Sequence, residues 1–470
     1  MFFKAFLTNS SGILTSRILG FFRDLLMATT LGAGIYSDIF FVAFKFPNLF
    51  RRIFGEGAFN QSFLPSFFHS RYRGGFALKT FLIFFMILCL LALFVMIFAP
   101  WVTKILAFGF NEETLQLAAP LVAINFWYLP LVFGVTFLGA ILQYKRNFSA
   151  WAYSPALLNL AMIIALLYAK DKESYESVLI LSYGVLAGGI AQILLHYYPL
   201  YHLNFFRLFV AGFYELKRKK RAVNDSFMAF LKQFFPAMLG SSTAQIASFI
   251  DTLLASFLAS GAISYLYYAN RIFQLPLAIF AIATSSALFP LVAKYIKENK
   301  ENAALKELKR SFWFLFFLLG ACVIGGILFQ KEIIWLLFER GEFHRDDTLA
   351  VSQVFSAYMI GLLPFGLARI FSLWLYSQNK QTLAAKISAF SLGVGILFSV
   401  ILMPFFQAVG LALAGSISGF VLFFITLYYF GFPKFFTILK EPLLFLGILG
   451  LFGLEILLIF LFKTYVFSLL

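Results

Sequence analysis

Apolar stretches of about 20 residues or more recur along the whole length of this 470-residue chain. A helix of that length can cross the hydrocarbon core of a bilayer. Hydrophobic residues make up 61% of the sequence and charged residues only 12%, whereas soluble domains carry about 25% charged residues. No block is polar enough to form a separate soluble domain. The chain is therefore predicted to be an all-α polytopic membrane protein.

About thirteen transmembrane helices are predicted from these stretches. Their approximate ranges are 4–31, 36–68, 77–107, 114–143, 151–169, 177–201, 227–259, 262–296, 308–337, 349–377, 383–405, 408–431 and 442–462. The first is not expected to be a cleaved signal sequence, because Arg17 and Arg23 interrupt its apolar part.

Basic residues concentrate in alternate connections between these helices. The runs at 217–221 and 294–310 are rich in Lys and Arg, whereas the connections at 112–113 and 339–347 are acidic. Cytoplasmic loops collect Lys and Arg, so the N-terminus is predicted to be cytoplasmic and the C-terminus external. The same bias explains the net charge of +16, which in a soluble protein would suggest a nucleic-acid partner. None is expected here.

Two similar halves are predicted. The division is 1–204 for an N-lobe of helices 1–6, 205–225 for a basic amphipathic cytoplasmic linker, 226–432 for a C-lobe of helices 7–12, and 433–470 for a thirteenth helix. Faint similarity between GIYSDIFFVAFKFP at 34–47 and GAISYLYYANRIFQLP at 261–276 supports a pseudo-two-fold arrangement.

Charged residues lie inside the first two apolar segments, where a charge near the bilayer centre costs about 2.5–3.5 kcal/mol. One face of the second helix carries Asp38, Lys45, Asn48, Arg52 and Glu56 over about 27 Å. The candidate buried cations of the chain are Arg17, Arg23, Lys45, Arg51, Arg52, Arg271 and Arg369, and the candidate anions are Asp24, Asp38, Glu56, Asp251 and Glu455. The positive surplus predicts a central cavity for an anion, and arginine forks suit phosphate.

Other roles for these charges stay open at this point. Asp24 and Glu56 are expected to pair with neighbouring arginines and to lock helices together. Asp251 is either a ligand for a coupling ion or a hydrogen-bonded packing residue, and Arg369 and Glu455 fit ordinary helix ends. No catalytic constellation, metal-ligand cluster or cofactor motif is found in the sequence.

Two blocks of the sequence resemble a known family. NSSGILTSRILGFFRDLLMATTLGAG with SDIFFVAFKFPNLFRRIFGEGAFNQSFLP is similar to the first two helices of the MurJ (MviN) lipid II flippases. FLASGAISYLYYANRIFQLPLAIFAIATSSALFP resembles their seventh and eighth helices. These flippases belong to the multidrug/oligosaccharidyl-lipid/polysaccharide exporter superfamily.

The resemblance implies a transporter and not an enzyme, working by alternating access between two six-helix lobes in the bacterial inner membrane. Its implied substrate is lipid II, the undecaprenyl-pyrophosphoryl disaccharide-pentapeptide used for peptidoglycan and the cell wall. Arg17, Arg23, Arg52 and Arg271 match the cavity arginines of the family, which implies that they bind the pyrophosphate. Supporting or switching positions are Asp24, Asp38, Lys45, Asn48, Arg51, Glu56 and Gln274.

The sequence departs from the family pattern in three places. Relatives usually have fourteen helices, and the extra C-terminal pair is associated with a groove for the lipid tail. Gln274 stands where some members have Glu, and the eleventh helix lacks the acidic residue or Asn of a sodium site shared with Asp251. Membrane potential is expected to assist transport, while sodium or proton coupling stays open.

Alternative functions are another lipid-linked oligosaccharide flippase or a multidrug antiporter of the same superfamily, a membrane enzyme acting on a polyprenyl phosphate, and a scaffold whose charges only bind helices together. The expected partners are lipid II, membrane lipids and the cell-wall synthesis machinery, with the chain acting as a monomer.

Overall fold

Helices joined by short turns make up the protein in the computed structural model, which describes residues 2–55, 58–203 and 205–467. No strand occurs among these residues. The chain divides into two compact units, Met1–Gly261 with Arg340–Phe343, and Ala262–Glu339 with His344–Leu470.

The first unit contains eleven helices within its described residues. They are α1 (Phe2–Leu31), α2 (Ile35–Gly55), α3 (Ala58–His69), α4 (Arg73–Ile97), α5 (Ala99–Leu106), α6 (Glu112–Phe126), α7 (Tyr128–Tyr144), α8 (Ser149–Ala169), α9 (Ser174–His202), α10 (Phe206–Arg218) and α11 (Lys220–Ala255). The 36–68 helix expected from the sequence corresponds to α2 and α3, and the two residues between them lie outside the described residues.

The second unit begins with α12. Its helices are α12 (Ala262–Pro276), a π-helical segment (Leu277–Ile282), α13 (Ala283–Lys297), α14 (Glu301–Leu328), α15 (Gln330–Phe338), α16 (Arg345–Ile360), α17 (Leu362–Ser377), α18 (Gln381–Phe430), α19 (Phe432–Leu439) and α20 (Pro442–Phe467). The π-helical segment follows Pro276, which lacks the backbone N–H that a regular helix uses.

The 50-residue α18 is a helical hairpin and not one straight rod. Gln407 has a non-helical backbone, with φ 49° and ψ −129°. On either side of it, Ser391 Oγ donates to Ser418 O at 2.6 Å, and Ser418 Oγ donates to Ser391 O at 2.9 Å. Such reciprocal bonds require the two halves to lie antiparallel. The reversal agrees with the boundary that the sequence predicts between residues 405 and 408.

Nine helical stretches of the described chain are long and apolar enough to cross a membrane. They are residues 73–97, 112–144, 149–169, 174–202, 262–297, 301–328, 345–377, 381–430 and 442–465. The charge-bearing helices α1, α2 and α11 are not among them. The protein is therefore a multi-pass membrane protein, and the count of thirteen helices stays a prediction.

Phenylalanine side chains form the core of the first unit. Phe59 and Phe63 of α3 are both 0% exposed, with their rings 5.1 Å apart. Phe63 also contacts Phe76 of α4 at 5.4 Å and Phe137 of α7 at 5.4 Å, and Phe230 of α11 lies 5.8 Å from Phe59. The segment FNQSFLP therefore anchors α3 by burying aromatic area.

Helices α10 and α11 both pack within the first unit. Gly75 N of α4 donates to Glu215 Oε2 of α10 at 2.6 Å. A Cβ on Gly212 would lie 2.6 Å from Gly74 O, so glycine is needed for this close approach. The sequence predicts α10 as part of a linker and α11 as the first helix of the C-lobe. That lobe boundary stays a prediction.

Candidate functional site

Arg23 and Asp24, adjacent on α1, form an ion pair inside the first unit. Arg23 Nη2 lies 2.6 Å from Asp24 Oδ1, and Arg23 Nε lies 3.0 Å from the same oxygen. The Asp24 side chain is 0% exposed and that of Arg23 is 12% exposed. Arg23 Nη1 also donates to Asn159 Oδ1 of α8 at 3.0 Å. Protein groups therefore hold the Arg23 guanidinium, as the helix-locking alternative predicts.

The same asparagine fixes α1 against α8. Asn159 Nδ2 donates to the backbone oxygen of Ser16 at 2.9 Å. One turn earlier, Gly12 approaches Ala152 so closely that a Cβ on Gly12 would lie 2.6 Å from Ala152 O. The register of α1 is thus set by backbone contact and by one amide side chain, and this places the next charged residue, Arg17.

Arg17 and Arg51 line a cavity of about 410 Å³ within the first unit. Its walls come from α1, α2, α7, α8 and α9, and the other lining residues are Ile13, Ser16, Val132, Val135, Thr136, Trp151, Ala152, Ser154, Pro155 and Gln192. Arg17 is exposed and makes no hydrogen bond or ion pair with the described side chains. Arg51 Nε donates to Asn48 Oδ1 at 3.3 Å, which orients its guanidinium. Two cations and several neutral polar groups therefore share one cavity.

Asp38 has a turn-stabilising contact. Its carboxylate is 4% exposed, and Oδ2 accepts a hydrogen bond from the backbone N–H of Gly261 at 2.7 Å. Gly261 has φ +94°, a conformation that favours glycine. Asp38 therefore joins the first turn of α2 to the segment that follows α11.

Lys45, Arg52 and Asp251 form a second charged group. The Lys45 ammonium interacts electrostatically with the Asp251 carboxylate of α11 and with the Arg52 guanidinium. Asp251 and Arg52 are exposed, and Lys45 is half-buried. Asp251, predicted as an ion-coupling candidate, thus lies where it can neutralise a lysine.

The remaining candidates lie elsewhere. Arg271 and Gln274 belong to α12 in the second unit, where Gln274 Nε2 donates to Asn270 Oδ1. Glu56 lies outside the described residues. Arg369 is exposed on α17, and Glu455 is half-buried on α20.

The sequence did not predict a group of buried polar residues of which Gln192 and Ser154 line the cavity. Gln192 Oε1 accepts a hydrogen bond from Tyr128 Oη at 3.1 Å, and Gln192 Nε2 donates to Ser154 O at 2.8 Å. His196 Nδ1 is 2.8 Å from the backbone oxygen of Gln192. The sequence did contain a signal for them, namely polar side chains within apolar helices. Burying such a side chain costs free energy unless it is hydrogen-bonded or serves a function.

The acidic connection at 339–347 stabilises the start of a helix. Asp347 Oδ2 accepts from His344 N at 3.0 Å, and Glu339 Oε2 accepts from Thr348 Oγ1 at 2.5 Å. Both carboxylates thus satisfy groups at the beginning of α16. Within the described chain, no group of three or more His, Cys, Asp or Glu residues is placed to hold a metal ion.

Known proteins resemble this chain along almost its whole length. The family model described as lipid II flippase MurJ matches residues 27–469. The chain belongs to this family. It is 57% identical over 449 residues to a probable lipid II flippase MurJ of Helicobacter pylori strain J99, which covers 94% of this chain and 97% of that protein. A probable MurJ of Buchnera aphidicola from Baizongia pistaciae is 35% identical over 436 residues, covering 90% and 82%.

Solved structures agree with this membership. A lipid II flippase MurJ in an inward closed conformation has a TM-score of 0.76 and 26% identity, covering 98% of both chains. An inward-facing multidrug resistance transporter of the MATE family has a TM-score of 0.63 at 12% identity, covering 93% of this chain and 95% of that one, and it shares the fold. The chain is thus a MurJ-family lipid II flippase, a transporter and not an enzyme.

Proposed function

We propose that this chain moves lipid II from the inner to the outer leaflet by alternating access, with guanidinium groups of the first unit holding the pyrophosphate. The observation that carries the proposal is the cavity lined by Arg17 and Arg51. Arg17 is exposed and has no protein counter-ion among the described side chains. A cation kept in an apolar bundle without a protein anion is suited to an anionic ligand.

Charge balance favours a pyrophosphate as that ligand. An ion taken out of water costs several kcal/mol unless opposite charges and hydrogen bonds compensate for the loss of hydration. Arginine provides both in a fixed bidentate geometry. In this proposal Arg17 and Arg51, which line the cavity, contact the pyrophosphate, and Arg52 and Arg271 stay candidate ligands on the family resemblance alone. Arg23 contributes less because Asp24 and Asn159 already engage it.

The acidic and amide residues then position these arginines. Asn48 orients Arg51 through its side-chain oxygen. Lys45 and Asp251 interact electrostatically with each other. We assign to this pair a switching role in alternating access, in which the two side chains separate. A sodium ion or a proton taken up at Asp251 would promote that separation. Asp24, Asp38, Glu56 and Gln274 keep supporting roles.

The multidrug antiporter is the rival function within the superfamily. A cavity for cationic drugs needs carboxylates, and none occurs among the described residues that line the Arg17 cavity. The lining therefore favours an anionic substrate.

We further propose that the N-terminus is cytoplasmic, that the chain works as a monomer, and that it supplies the external cell-wall synthesis machinery. Membrane potential contributes about 2.3 kcal/mol per charge per 100 mV to resetting the cationic cavity.

Depletion and rescue in a bacterium whose own lipid II flippase can be switched off tests this proposal. The wild-type chain is expected to restore growth, and Arg17→Ala is expected to fail at an equal membrane level. Arg207→Ala is the matched control, because Arg207 is an exposed arginine on α10, away from the cavity lining. Full rescue by Arg17→Ala would remove the pyrophosphate role of that residue. Failure of the wild-type chain would remove the flippase proposal itself.

A further inference from the structure

The cavity beside Arg17 is larger and more varied than a phosphate site requires. Its volume is about 410 Å³, whereas a water molecule occupies about 30 Å³ in the liquid. Small-molecule pockets in proteins have volumes of about 300–1,000 Å³. The two arginines occupy part of the lining, and the remainder is neutral. The cavity thus has room for a group beyond the anion.

The neutral part of the lining carries hydrogen-bonding groups. Ser154 is 2% exposed, lines the cavity, and has no hydrogen-bond partner for its Oγ within the described chain. A buried hydroxyl in that state costs free energy unless a ligand or water satisfies it. Gln192 is also 2% exposed and uses one amide donor on Ser154 O. A side-chain amide has two donors, so Gln192 keeps a second one for a ligand.

An aromatic ring completes this lining. Trp151 is half-buried and lines the cavity. One edge of its indole packs against Gly139, where a Cβ would lie 2.5 Å from Trp151 Cε3. The close packing fixes the ring in place. A rigid aromatic surface beside hydroxyl and amide groups suits a ligand that has both apolar C–H faces and polar substituents.

We propose that this cavity binds the sugar nearest the pyrophosphate, with Trp151 contacting its C–H face and Ser154 and Gln192 bonding its hydroxyl or amide substituents. The arginines at Arg17 and Arg51 hold the attached phosphate. A polyprenyl tail does not fit this lining, because it would leave the Ser154 hydroxyl unsatisfied. The inference rests on the proposed flippase function and adds a glycosyl subsite to it.

A binding comparison with and without the sugar tests this subsite. The full chain is placed in phosphatidylcholine nanodiscs, and its affinity is measured for lipid II and for undecaprenyl pyrophosphate, which has no sugar. Wild-type protein is expected to prefer lipid II. Trp151→Leu and Ser154→Ala are each expected to weaken lipid II binding about 2- to 10-fold, the effect of losing one hydrogen bond or aromatic contact. Neither should change the affinity for undecaprenyl pyrophosphate.

Trp101→Leu is the matched control, because Trp101 is 77% exposed on α5 and lies outside the cavity lining. Ser154→Ala is a small truncation and carries the test if the tryptophan variant does not fold. Equal weakening for both lipids, or no weakening for either, would overturn the glycosyl subsite. A wild-type protein that binds neither lipid would instead contradict the proposed function.

Discussion

The ion pair between Arg23 and Asp24 gives a prediction about stability whose size follows from burial. Asp24 is 0% exposed and Arg23 12% exposed, and two hydrogen bonds of 2.6 Å and 3.0 Å join them. Removing one partner of a buried pair costs about 3–5 kcal/mol because the other charge is left uncompensated. Asp24→Asn is therefore expected to lower the free energy of unfolding by about 3 kcal/mol. The assay is a denaturation titration of the purified protein in mixed micelles.

Two comparisons make that prediction specific. Glu112→Gln breaks the Lys104–Glu112 pair, whose side chains are 43% and 77% exposed, and such a pair contributes about 0–1 kcal/mol. The double variant Arg23→Met with Asp24→Leu removes both charges and should recover most of the loss, since an apolar pair often replaces a buried ion pair without cost. Equal losses for Asp24→Asn and Glu112→Gln would refute the reasoning. Transport by the double variant would further show that Arg23 is dispensable for the substrate.

Three other perturbations follow from particular contacts. Asp38→Ala removes the hydrogen-bond acceptor for Gly261 N. It should lower the free energy of unfolding, measured by the same titration, by about 1.5–3 kcal/mol. A loss below about 0.5 kcal/mol would argue against the contact. Gly212→Val places side-chain atoms against Gly74 and should release α10, seen as faster proteolysis at residues 205–225; unchanged cleavage would contradict this. Lys45→Met and Asp251→Leu should each reduce the rescue of flippase-depleted cells more than the double variant does, because each single change leaves one charge without its partner. Losses that add up in the double variant would contradict this coupling.

The positions of most helices could be predicted from the sequence, because an apolar run and its polar flanks are local features. The range 151–169 expected for one helix compares with Ser149–Ala169 in α8. Breaks inside the long apolar runs were less predictable. Trp127 separates α6 from α7, and the signal for this break is Pro130, which cannot donate the helical hydrogen bond to the carbonyl of Phe126. A proline occurs both in kinked helices and between separate helices, so the sequence alone does not decide between the two.

The features of the site that the sequence could not predict are contacts between residues that lie far apart in the chain. The charges of α1 and α2 were visible as a group, and their cationic surplus led to an anionic substrate. Arg23 meets Asn159, 136 residues away, and Asp38 meets Gly261, 223 residues away. Neither contact has a periodicity that a sequence could reveal. The neutral wall of the cavity, with Trp151 and Ser154, was missed because such residues are common in apolar helices.

Transport of lipid II across a bilayer by the purified protein tests the central claim most directly. Proteoliposomes containing the chain and fluorescent lipid II are given a membrane potential, and the label that reaches the opposite leaflet is quantified with a membrane-impermeant quencher. Wild-type protein and Arg207→Ala should move the label, and Arg17→Ala should not. Equal movement with wild-type protein, Arg17→Ala and protein-free liposomes would contradict the account.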